Sequence, residues 1–299
     1  MNGSYRLLAW AALVWSAAGF AAGQIPGGSL NDPALIGASE LAPIAGASGA
    51  GAAAGYQLLV YPVAVAASGP DLYIADAGLN RILRYDRTIQ RMQAMASLPA
   101  RQDTRIALGA DLSLYVLESL DRRVSQFSRD GRLLRTFSSD ANLGRPVAFA
   151  VDEANGRVWV VDALYNQIVA FNMLGRIAGI VRLPEHTLSA SGIAVGRDVI
   201  HILDSGKGEV FSLSRDGRFI SAYSRDVLKQ PTAIAIDRRG WLYIGDRGNG
   251  IHVFTPSGMH RVLPIRFDGP GDIAADEGRL YLVDPLQGRV RVIWVTEGS

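Results

Sequence analysis

Six short apolar runs punctuate the chain, each rich in β-branched and aromatic residues and each closed by an acid. They are Leu72–Asp76, Ser113–Glu118, Val158–Asp162, Ile200–Asp204, Leu242–Asp246 and Leu280–Asp284. The closing acids Asp76, Glu118, Asp162, Asp204, Asp246 and Asp284 stand 42, 44, 42, 42 and 38 residues apart. A period near 40 with strand-like patterning and no helical stripe predicts a propeller, one blade per repeat.

The residues around each run divide into further strands. Ahead of it lies a small-residue strand ending in alanine, at Ala66, Ala107, Ala150, Ala194, Ala235 and Ala274. An innermost strand has the least room, so a methyl group there is a packing requirement. Behind it comes an alternating strand such as Ile82-Leu83-Arg84-Tyr85 or Ile251-His252-Val253-Phe254, the period-two mark of a strand. A glycine-bearing turn such as Arg129-Asp130-Gly131 or Arg215-Asp216-Gly217 leads into a looser fourth strand. The last repeat ends after Val290–Ile293 without a fourth strand, and Gln57–Tyr61 stands alone before the first. The pattern predicts that this N-terminal strand completes the last blade and removes an open edge. The expected fold is all-β, a six-bladed β-propeller of four-stranded antiparallel blades over residues 56–299.

The order Pro-x-x-Ile-Ala-x-Asp, Gly-x-Leu-Tyr-x-x-Asp, Gly-Asn-x-x-Ile-x-x-Phe resembles the NHL repeat. Pro231 to Gly258 carries it most fully, and Asp76-Ala77-Gly78-Leu79-Asn80-Arg81-Ile82 is similar to its junction between second and third strands. Glu118 and Asp284-Pro285 depart from the pattern. The resemblance implies an interaction platform that binds a protein or small ligand. Related six-bladed propellers include lactonases, a peptide-amidating lyase and streptogramin lyases, so a lyase or lactonase-like hydrolase at the channel mouth is the alternative. Fold alone does not choose between them.

Composition adds a compartment. Met1–Arg6 is a short charged start, Leu7–Ala18 is apolar and Gly19–Gly23 is small, the layout of a secretory signal peptide over residues 1–23. The expected location is periplasmic or secreted, with no membrane span after cleavage, since a span needs about 20 apolar residues. Residues 24–55, dominated by Gly, Ala and Pro, read as a flexible linker. The chain has no cysteine, which excludes disulfides, a lipidated N-terminal cysteine and thiol chemistry. Only Lys207 and Lys229 are lysines among the 30 basic residues. The arginines are spread over the repeats rather than gathered in a stripe, which argues against nucleic-acid binding and for a solvated surface. A closed ring is expected to be monomeric.

For chemistry, the six acids are expected to be structural. Each ends a second strand where a carboxylate accepts amides of the following loop. The four histidines do not occupy equivalent positions, so no zinc site is expected. No cofactor is implied, although a calcium ion held by acids and asparagines in the channel stays open. What breaks the symmetry is more informative. At the third place of the inner strand the residues are Ala64, Arg105, Ala148, Gly192, Ala233 and Asp272. Charges so near an axis need partners or a watery channel. Arg105 and Asp272, with Tyr165 and Arg247 from the loops after the second strands, are the candidate binding residues of a channel mouth.

Overall fold

The structure is a computed structural model. It describes residues 37–44, 59–95, 98–187, 189–223, 226–265, 268 and 271–296. The expected signal peptide lies outside the described residues. The described chain forms six four-stranded antiparallel sheets, the blades of a closed propeller. Blade one begins at Pro62–Ser68, blade two at Arg105–Leu108 and blade three at Pro146–Asp152. Blades four, five and six begin at Ala190–Val195, Pro231–Ile236 and Ile273–Asp276. No helix among the described residues is long and apolar enough to cross a membrane.

The apolar runs are the second strands, and both of their faces are covered. Tyr73 and Ala75 pack between blades one and two, while Leu72 and Ile74 pack between blades one and six. Alternation therefore divides each strand between two cores, and both sets of side chains are apolar. The buried residues fall into six clusters, one at each junction between neighbouring blades. Tyr73, Tyr115, Tyr243 and Tyr281 are among the largest fully buried side chains.

Ring closure differs from the expectation. The outer strand of blade six is Gly37–Ile44, paired antiparallel with Arg289–Thr296. It lies inside the stretch expected to be linker, so the propeller begins before residue 56. Leu59 to Tyr61 cannot serve as that strand, because blade one uses its backbone. The amides of Val60 and Tyr61 donate to the Asp76 carboxylate at 2.8 and 3.0 Å, and Ala77 donates to the Tyr61 carbonyl. Gln57 and Leu58 lie outside the described residues. Gly37–Ile44 has few strand-favouring residues and contains Pro43, yet an outermost strand tolerates both. The register shifts between Leu41 and Ile44, where Pro43 sits.

The arginines do more than solvate the surface. Arg129 of blade two reaches buried Asp71 of blade one, with Nε–Oδ2 at 2.9 Å. Arg87 of blade one reaches Asp276 of blade six at 3.0 Å and also donates to the Tyr281 hydroxyl. Arg215 of blade four pairs with Asp152 of blade three. Each clasp joins the turn before an outer strand to the end or start of a strand in the preceding blade. A planar fork that donates to two acceptors suits this position better than an ammonium.

Candidate functional site

Strand direction defines two ends of the ring. At one end, here the loop face, inner strands begin and second strands finish, as the pairs Pro62–Asp76, Pro146–Asp162 and Pro231–Asp246 show. The opposite end carries the tight turns and is the turn face.

Asp76, Asp162, Asp204 and Asp246 are fully buried at the loop face. Asp162 accepts the amides of Leu164 and Tyr165 in its own loop at 3.0 and 2.8 Å, and those of Gly144 and Arg145, both at 2.7 Å. Asp246 likewise accepts Lys229 and Gln230, at 2.8 and 2.5 Å, and Asp204 accepts Ser189 and Lys207. Each acid thus ties the loop after the second strand, the segment entering the inner strand, or both. Glu118 differs: its carboxylate takes the Arg123 guanidinium and the Ser125 hydroxyl, and although burial pushes its pKa up, these bonds and the Arg123 charge together hold the pKa below the usual carboxylate value. Asp284 accepts the Gln287 amide at 3.2 Å and approaches Arg289 at 3.4 Å.

The six inner strands surround a channel of about 310 Å³. Ala66, Ala107, Ala150, Ala194, Ala235 and Ala274 all line it. Arg105 and Asp272 line it too, so the two symmetry-breaking charges share one space although blade one separates them. Asp272 lies deep in the protein and keeps part of its surface on the channel. Its carboxylate accepts the amides of Val65 at 3.1 Å and Ile273 at 2.9 Å. Burial pushes its carboxyl up to about 6, while the Arg105 charge and the two amides pull it down. Arg105 makes no contact ion pair with Asp272 among the described residues, and its guanidinium donates to the Thr104 carbonyl at 3.0 Å.

Arg105 also lines a second space, an open groove of about 560 Å³ between blades two and three. Arg122, Arg145 and Leu120 join it there, with Asp103. Sequence reasoning missed Arg122 and Arg145, because they meet only when neighbouring blades dock. The one available signal was that Arg145 directly precedes the aligned proline Pro146. Tyr165 is half-exposed beside this groove, its ring packed over Gly144. Arg247 is exposed on blade five and lines neither space.

No histidine lines the channel. His252 and His260 are linked to each other at 3.0 Å, and His252 also reaches the Asn249 amide at 3.1 Å and Asp246 at 3.4 Å. Burial lowers both imidazoles, His260 to about 4, so both are neutral at neutral pH. No group of three His, Asp or Glu side chains able to hold a metal ion occurs among the described residues.

No protein-family profile matches the chain, and no curated protein does. Solved structures do. Virginiamycin B lyase from Staphylococcus aureus is 16% identical over 84% of this chain and 82% of its own, with a TM-score of 0.60. A protein of unknown function from Bacteroides thetaiotaomicron is 16% identical over 88% of this chain and 77% of its own, with a TM-score of 0.69. A gluconolactonase from Xanthomonas campestris is 17% identical over 80% of this chain and 87% of its own, with a TM-score of 0.61. At these identities the likeness shows the six-bladed propeller fold. The resemblance to NHL repeats rests on the residue pattern.

Proposed function

We propose that this is an exported propeller of NHL type that binds a small anionic ligand at its loop face, between the channel mouth and the groove of blades two and three. The observation that carries it is the position of Arg105, which faces both spaces and is joined by Arg122 and Arg145 in the second. Guanidinium groups on a rigid rim suit a carboxylate or phosphate ester, which they bind through paired donors. Small-molecule carboxylates and phosphate esters, screened by the rise they cause in the unfolding temperature, test the proposal. At least one compound should stabilise the protein, and Arg105→Ala should abolish that rise while Arg247→Ala leaves it intact. Equal responses of the two variants would refute the assignment.

A second reading has its own support. Asp272 carries a carboxyl near neutrality in a channel that also holds a cation, the setting of a general acid or base. Two of the similar structures are a lyase and a gluconolactonase. On this reading Asp272 would move a proton and Arg105 would stabilise developing negative charge. The purified protein should then turn over a streptogramin B or an aldonolactone, and Asp272→Asn should lose that turnover while remaining folded. Turnover unchanged in that variant would dismiss Asp272.

A further inference from the structure

The turns and outer strands of blades two, three and four repeat a second pattern: Gly131-Arg132-Leu133-Leu134, Gly175-Arg176-Ile177 and Gly217-Arg218-Phe219-Ile220. All three glycines have positive φ. A side chain on Gly175 would meet the Thr136 carbonyl of blade two at 2.8 Å, and one on Gly217 would meet Val181 of blade three at 2.7 Å. The turns of blades three and four therefore lie directly on the outer strands of blades two and three, and the three segments form one continuous stretch of rim at the turn face. Its apolar side chains are exposed: Leu133 56%, Leu174 70%, Phe219 56% and Ile220 50%. Scattered exposed apolar residues are ordinary, but a contiguous set beside charges of one sign marks an interaction surface.

The charge here is positive. Residues 128–137, 172–182 and 214–222 contain seven arginines and only two acids, Asp130 and Asp216. Arg129 and Arg215 are spent on Asp71 and Asp152, and Arg218 pairs with Asp216; of the other four, Arg132, Arg176 and Arg182 are exposed and Arg135 is half-buried. Gly37, the first residue of the closing strand, pairs with Thr296 at the turn face. We infer that this rim docks on an anionic lipid bilayer, with apolar side chains in the headgroup region and guanidinium groups on the lipid phosphates. This is independent of the ligand site, which opens on the other end of the ring.

The absence of cysteine allows a clean test. The full chain carrying Phe219→Cys, labelled with an environment-sensitive fluorophore, is mixed with vesicles of equal parts phosphatidylglycerol and phosphatidylcholine. The probe should shift to the blue, and a probe at Leu286→Cys on the loop face should not. Leu174→Cys serves as a second rim site should Phe219→Cys fold poorly. Replacing Arg132 and Arg176 together by Gln should weaken vesicle partitioning on the order of 30-fold, about fivefold per arginine near a charged surface. The same change at Arg101 and Arg247 should leave it unaltered. Responses at Leu286, responses at neither site, or partitioning indifferent to Arg132 and Arg176 would overturn the inference. A rim probe that answers to polyglutamate but not to vesicles would overturn it too, by assigning the surface to an acidic polypeptide.

Discussion

A carboxyl group among alanine methyls has few ways to lower its energy, and Asp272 uses two backbone amides and a distant guanidinium. Burial outweighs them, so the folded carboxyl holds its proton more tightly than the unfolded one, whose ordinary value is 3.8. Its contribution to stability is fully present below that value and is lost as pH rises through about 6. The full shift corresponds to about 3 kcal/mol, and its partial exposure to channel water reduces that to about 1–2 kcal/mol. Asp272→Asn should therefore be more stable than wild type at neutral pH by about 1–2 kcal/mol, with the advantage fading in acid. Urea unfolding midpoints at the two conditions measure this, and a variant less stable at neutral pH would contradict it. That Arg105 and Asp272 stand apart from the other four inner strands is visible in the aligned repeats alone. That their charges meet in one channel depends on the ring's geometry, as does the company of Arg122 and Arg145.

Among elements, the loop-face acids show how far recurrence can be read. Six acids spaced 38 to 44 residues apart mark the ends of six second strands, and their own loops are adjacent in sequence. The amides on the other side, such as Gly144 and Arg145 for Asp162, precede the acid by 18 and 17 residues, and only strand pairing brings them back. Nor does spacing distinguish Glu118, whose longer side chain turns to Arg123 and Ser125. The two arrangements differ in energy. Asp162→Ala removes the acceptor of four amides at a buried position and should cost about 2–4 kcal/mol. Glu118→Ala breaks a half-exposed pair with Arg123 and should cost about 1 kcal/mol or less. Thermal unfolding of both variants, side by side, checks the order; equal losses would mean that the amides find water instead.

At the scale of the whole molecule, the ring joins its two ends in blade six, and its stability depends on which N-terminal residues do the joining. Composition pointed to Gln57–Tyr61, because Leu, Val and Tyr favour strands and the Gly/Ala tract before them does not. An outer strand asks for something else: backbone donors and acceptors in register with Arg289–Thr296, which Gly37–Ile44 supplies despite its poor propensity. Ile44 also packs against the core between blades six and one, so both edge and core depend on this strand. The two assignments predict different truncations. A chain beginning at residue 37 should unfold in one cooperative transition close to that of the full chain. A chain beginning at residue 56 keeps Leu59 to Tyr61 but leaves the edge of Arg289–Thr296 unpaired and apolar. It should melt lower and self-associate through that edge, because an open strand pairs with another copy of itself. Thermal scans with size-exclusion chromatography separate the cases, and equal melting of the two truncated chains would return closure to the residues after 56.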